Sequence, residues 1–278
     1  MDFTMDRART DFDQCDLSSR VEVRTFVEPS TKTWQYVVIE PHGIHCVIVD
    51  PVLEHTDEQP RVSTTAADEL LDFIKQRQLQ VDAIFETCSQ SETTRSAAWY
   101  LRMQLLVSQG YAPRICGSRA TAPFNRLFSR KYGKNFRDTL ENDYADGEAM
   151  AVGSMSISIV SLPGLSSPDG RAYLVEDNIF GAQPVVELQS KLEQAMKDCC
   201  YDWDSSERYH QAWLSMQKIL GLPAHTRIYL SSADTGTAGE VTARRRRRPF
   251  STVQECMPEA ETVQSMADDT RALLGDTQ

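Results

Sequence analysis

Short apolar runs alternate with amphipathic stretches through the first half of the chain, and this alternation limits the possible folds more than any other feature. WQYVVIE (Trp34 to Glu40) and HCVIVDPV (His45 to Val52) are separated by the turn formers Pro41, His42 and Gly43, the pattern of a β-hairpin. VEVRTFVEP, just before them, alternates apolar and polar residues with the period of a strand. After a loop expected at Thr56 to Arg61, TTAADELLDFIKQRQ carries Ala66, Leu70, Leu71, Phe73 and Ile74 at helical spacing, with Thr64 or Thr65 as N-cap. VDAIFET then predicts a strand, SAAWYLRMQLLVSQG a helix ended by Gly110, and PRICGS the next strand.

The second half repeats the scheme. EAMAVGSMSISIVSLPG predicts two strands, and GRAYLVEDNIFGA a hairpin with Glu176, Asp177 and Asn178 at its turn. ERYHQAWLSMQKILGL predicts a helix closed by Gly221, and TRIYLSS a final strand. Two blocks of strands, each followed by helices, predict an α/β fold in which two sheets lie between helical layers. A length of 278 residues suits one such domain, expected over 21–259, with a disordered start at 1–20 and a helical or disordered tail at 260–278.

Composition narrows the class of function. With 41% hydrophobic and 25% charged residues the chain reads as globular. No apolar run approaches the roughly 20 residues that span a bilayer, and MDFTMDRARTDFDQCD is too acidic for a targeting peptide, so the expected location is cytoplasmic, without membrane contact. A net charge of −11 repels phosphate backbones, and no nucleic-acid partner is expected; Arg244 to Arg248 read as a solvated run. Seven cysteines without C-x-x-C spacing indicate neither a disulfide framework nor a zinc knuckle.

The segment FVEPSTKTWQYVVIEPHGIHCVIVDPVLEH resembles the metallo-β-lactamase fold, and within it the persulfide dioxygenase and glyoxalase II-like branch. ADELLDFIKQRQLQVDAIFET, SAAWYLRMQL, SLPG, AYLVEDNIFGA and WLSMQKILGLPAHTRIYLSSAD follow as successive landmarks, so the likeness covers roughly Val21 to Glu259. It implies an αββα sandwich of two mixed β-sheets flanked by helices. It also implies zinc or iron held by a His-x-His-x-Asp-His cluster after Glu-Thr, a histidine after Pro-Gly, a bridging aspartate after the hairpin glycine and a last histidine after the final strand. This chain departs from every one of those positions. The cluster reads Cys88-Ser89-Gln90-Ser91-Glu92-Thr93, Leu165 follows Pro163-Gly164, Ala182 follows Gly181, and Ser232 stands after the last predicted strand. A catalytic metal needs about three protein ligands, and leucine and alanine offer none. Only Glu92 and Cys88 keep groups that readily bind metals, so the expectation is no tightly bound catalytic metal, no metal-ligand set and no cofactor.

Three residues are left as candidates for chemistry, each with two readings. Cys88, between a strand end and a helix start, reads as an activated thiolate or as a small buried hydrophobe. Glu92, in place of the metal-binding aspartate, reads as a general acid or base or as a helix cap. Asp169, in LSSPDG, reads as a cleft carboxylate or as a turn residue. Gln90, Thr93, Leu165, Ala182, Ser232, Asp234 and Trp203 are the expected ligand-binding positions, whereas Trp99 and Trp213, on amphipathic helices, read as core. The expected function is a metal-free pseudoenzyme that holds a small organic ligand or a protein partner in the ancestral cleft. The alternative is a repurposed enzyme (cyclase, isomerase, dehydratase or thioesterase-like) that acts by metal-independent acid–base or thiol chemistry on a biosynthetic intermediate.

Overall fold

The computed structural model describes residues 20–30, 32–56, 59–87, 95–117, 144–164, 170–182, 203–230 and 250–256. Strands β1 (Glu22–Glu28), β2 (Thr33–Ile39), β3 (His45–Val49), β6 (Gln80–Phe85) and β8 (Arg114–Cys116) form a five-stranded sheet in the order β1-β2-β3-β6-β8. Strands β9 (Ala149–Val152), β10 (Met155–Ser161), β11 (Arg171–Val175), β12 (Asn178–Phe180), β13 (Arg227–Tyr229) and β14 (Phe250–Thr252) form a six-stranded sheet in the order β14-β13-β12-β11-β10-β9. Both sheets are mixed: β3, β6 and β8 pair in parallel, as do β12 and β13, and the remaining pairs are antiparallel.

Helices α1 (Thr65–Arg77) and α2 (Ala98–Gln109) cover the outer face of the first sheet, packing Leu70, Leu71, Ile74, Leu101 and Leu105 against Val37, Ile39, Ile48 and Ile84. Helix α3 (Trp203–Leu220) covers the second sheet with Trp213, Met216 and Ile219 against Ala172, Ile179 and Ile228. Between the sheets lies a third cluster, with Tyr36, Val38, Val47, Val49 and Phe85 meeting Ile157, Ile159, Tyr173, Phe180 and Tyr229. This is the expected αββα sandwich. Strands β2 and β3 are buried on both faces, which is why they read as nearly continuous apolar runs.

A register shift between Cys46 and Val47 moves the partner of β3 from Val81 to Ala83. Asp82 is thus the extra residue of a bulge. Val81 packs toward the helices and Ala83 between the sheets, although an unbroken strand would put both on one face.

Three details differ from the sequence expectation. The run from His45 to Val52 is not one strand: Asp50 has φ +51 and Pro51 has no amide hydrogen, so the chain turns out of the sheet. Within the expected loop at Thr56 to Arg61, Thr56 and 59–61 lie in strands: β4 (Val52–Thr56) pairs with β5 (Gln59–Ser63) and with β7 (Arg95–Ser96), and backbone pairing needs no apolar pattern. Asn178 lies in β12 and not in the turn, and β13 is not the last strand, because β14 adds to its free edge. Trp99 and Trp213 are buried as expected, and Gly110 closes α2 with φ +85. Among the described residues no helix is long and apolar enough to cross a membrane.

Two positions on α2 separate packing from propensity: Leu101 is 0% exposed and Val107 is 83% exposed. Leu101→Ala should lower unfolding stability by about 2–5 kcal/mol, while Val107→Ala should change it by less than about 0.5 kcal/mol, both read from urea midpoints. Equal effects would contradict the packing described.

Candidate functional site

The carboxyl ends of β3 and β6 form the corner from which the segment 88–94 departs. Asp50 follows β3, and Glu86 and Thr87 follow β6; all three are buried. An acidic group in such a place must find hydrogen bonds or lose its charge. Asp50 does both. Its Oδ1 accepts the Thr87 amide at 2.7 Å and its Oδ2 accepts the Thr87 hydroxyl at 2.5 Å. Burial nevertheless pushes its carboxyl up to about 7, and the nearby Glu86 charge adds to the rise while the Thr87 bonds oppose it. The Asp50 amide donates to Phe85 O at 2.9 Å, so the corner is tied through backbone and side chain.

Glu86 accepts a hydrogen bond from the Ser96 hydroxyl, whose oxygen also accepts the Ala98 amide at 3.0 Å. Ser96 thus links the end of β6 to the first turn of α2, where a carboxylate is favoured by the helix dipole. The second sheet closes on the same corner. Tyr173 donates from β11 to the carbonyls of Glu86 at 3.3 Å and Cys116 at 3.1 Å, and its ring lies 4.3 Å from that of Phe85. Gly181 has φ +88, and a Cβ there would stand 2.4 Å from Thr87 Cγ2 and 2.9 Å from Arg171 O. Beside them Tyr36 donates to Leu230 O, and the Phe180 and Tyr229 rings stack at 4.6 Å.

Cys88, Gln90, Glu92, Thr93, Leu165, Asp169, Ser232 and Asp234 lie outside the described residues, as do Cys199, Cys200 and the Arg244 to Arg248 run. Trp203 is the first residue of α3. Ala182, directly after Gly181, is buried in an apolar cluster with Leu162, Ile179, Trp213 and Val253. Pro163, before the Gly164–Leu165 position, is held from α3: Ser215 donates to Pro163 O at 2.9 Å, and Lys218 reaches Asp146 at 2.7 Å and Ser161 O at 3.1 Å. Asp50, Glu86, Ser96 and Tyr173 are not among the positions expected from the sequence. For the first two a signal was present, since one acid ends each of the apolar runs VIVD and AIFE, and an acid inside such a run is an exception to be explained.

No family model matches the chain. It is 26% identical over 223 residues to glyoxylase B2 of Dictyostelium discoideum, covering 77% of this chain and 70% of that protein. It is 26% identical over 216 residues to a β-lactamase hydrolase-like protein of Agrobacterium fabrum, covering 74% of this chain but only 46% of that longer relative. Its structure superposes on that of ETHE1 from Myxococcus xanthus with a TM-score of 0.56 at 14% identity, covering 92% of each chain. A metallo-β-lactamase from Staphylococcus aureus gives 0.54 at 13%, covering 94% of this chain and 68% of that one. The chain therefore has the metallo-β-lactamase fold. In sequence it is similar to a glyoxylase and to β-lactamase hydrolase-like proteins.

A zinc or iron ion of the kind the sequence resemblance implies does not fit the donors described. No three histidine, cysteine, aspartate or glutamate side chains converge among the described residues. Both Asp50 oxygens accept from Thr87, Glu86 accepts from Ser96, and the Ala182 position offers a methyl group. His45 is bound to Asp82 at 2.7 Å and His225 to Asp177 at 3.1 Å, away from this corner.

Two outcomes follow from the corner. Native Asp50 keeps its proton up to about 7, whereas the unfolded residue releases it near 3.8, so the native state binds the extra proton between those values. Its contribution to stability is therefore largest at low pH, falls as pH rises through that window, and is flat above it. Asp50→Asn should gain on the wild type by up to about 4 kcal/mol between pH 4 and 7, read from urea melts; parallel pH profiles would refute the assignment. Gly181→Ala should destabilise by at least about 1–3 kcal/mol, from the left-handed backbone alone and before the collision with Thr87. A wild-type midpoint for that variant would show that the two sheets do not approach so closely there.

Proposed function

We propose that the chain is a metal-free pseudoenzyme of the metallo-β-lactamase superfamily, a cytoplasmic protein that retains the ancestral cleft to hold a small organic ligand or a protein partner. The observation that carries this reading is the environment of Ala182. The position expected to supply the bridging carboxylate holds a methyl group packed into the core of α3 and the second sheet. A side chain serving as apolar packing cannot also serve as a metal donor. The loss of histidine at Gln90, Thr93, Leu165 and Ser232 points the same way, since of the replaced positions only Cys88 and Glu92 keep a group that binds zinc or iron readily. The corner that carried the donors is still built, which favours a retained binding role over simple decay.

A second reading is supported by the likeness to a glyoxylase and by Asp50, a carboxyl group pushed toward neutrality next to the segment that bears Cys88 and Glu92. In that reading the emptied cleft performs metal-independent acid–base or thiol chemistry with Cys88, Glu92 and Asp169.

Elemental analysis of the purified protein, before and after incubation with zinc or iron, tests the first reading. Well under one equivalent per chain is expected, and nearly one equivalent that Glu92→Ala abolishes would overturn it. Turnover of a thioester panel by wild type, Cys88→Ala and Glu92→Gln separates the two readings. Equal inertness is expected of the pseudoenzyme, and wild-type turnover lost in either variant would establish the enzyme instead.

A further inference from the structure

Three chain segments meet at the corner below the candidate site: 50–53, 85–87 and 95–98. Each is tied to another by at least two hydrogen bonds. Between the first two, the Asp50 amide reaches Phe85 O at 2.9 Å, and the Asp50 carboxylate takes the Thr87 amide at 2.7 Å and hydroxyl at 2.5 Å. Between the first and third, Val52 pairs with Ser96 and Leu53 with Arg95, and the Ala97 amide reaches Pro51 O at 2.8 Å. Ser96 closes the triangle through its hydroxyl, which donates to the Glu86 carboxylate and accepts from the Ala98 amide.

We propose that this triangle is a self-sufficient clamp, with Ser96 as its positioning residue, that fixes both ends of the connection from β6 to α2 without a metal ion. Three features support it. The bonds are buried, where water does not compete with them and an unmade one leaves a polar group unsatisfied. Asp50 holds a left-handed backbone (φ +51) that a non-glycine residue keeps only where its surroundings over-determine it. Of the four tied side chains Asp50, Glu86, Thr87 and Ser96, only Ser96 belongs to the far end of the connection, so loss of its hydroxyl opens the triangle on one side. The clamp does not depend on what the cleft binds. It explains how a site platform whose donors have been replaced stays assembled.

Hydrogen–deuterium exchange on the full chain tests the proposal, with the wild type measured as purified, after EDTA and with added zinc. Peptides covering Phe85 to Trp99 should exchange at the same rate in all three conditions. In Ser96→Ala the same peptides should exchange about tenfold faster or more, and Ser96→Thr, which keeps the hydroxyl, should restore protection. Peptides of β10 and β11 serve as the control and should not change. Faster exchange of the wild type after EDTA overturns the clamp, and so does wild-type exchange in Ser96→Ala. Should Ser96→Ala loosen the control peptides as well, Thr87→Val decides: local loosening supports the clamp, and unchanged exchange overturns it. Metal content is measured on the same samples, so that a full equivalent of metal with exchange indifferent to EDTA removes the functional reading while leaving the clamp in place.

Discussion

Asp50 carries a carboxyl group into a corner that water does not reach, and Thr87 meets both of its oxygens. Much of the arrangement near the site follows from that one buried interaction. At Asp50 β3 has ended, the backbone lies in the left-handed region, and the chain passes through Pro51 into β4. Strand β4 then recruits β7, which sets the start of α2. The same pair joins the ends of two parallel strands at the rim where folds of this kind carry their function.

The second sheet is seated on this corner through close fit and not through charge. Tyr173 spans the sandwich to two carbonyls of the first sheet, and Gly181 brings its backbone against the Thr87 methyl group. Aromatic rings fill the space beside them, with Tyr36, Phe180 and Tyr229 packed around the Tyr36–Leu230 hydrogen bond. Ala182, directly after Gly181, belongs to the same packing, buried between α3 and the second sheet.

Much of the fold was legible because each covered strand advertises its burial. The runs YVVI and CVIV are apolar on both faces, and LLDFI and WYLRMQLL show the one-sided spacing of helices lying on a sheet. The ribbon of β4 and β5 was illegible, since backbone pairing at a sandwich edge leaves no apolar period, and β14 follows a polar arginine run with only three residues of pattern. The site was legible where it rests on residue type: alanine and leucine donate nothing to a metal wherever they lie. It was not legible at Ser96 and Tyr173, whose partners are ten and more than fifty positions away in the chain.

By itself the sequence determined the layers, the helix faces and the loss of histidine from the expected positions, because these depend on local period and on the identity of single side chains. The tertiary structure alone decided that Asp82 sits in a bulge, that Ala182 is packed into the core, and that Asp50, Glu86, Thr87 and Ser96 form one hydrogen-bonded corner. Those facts belong to pairs of residues brought together across strands and between sheets, and the energy of burying a polar group is set by the partner it meets there.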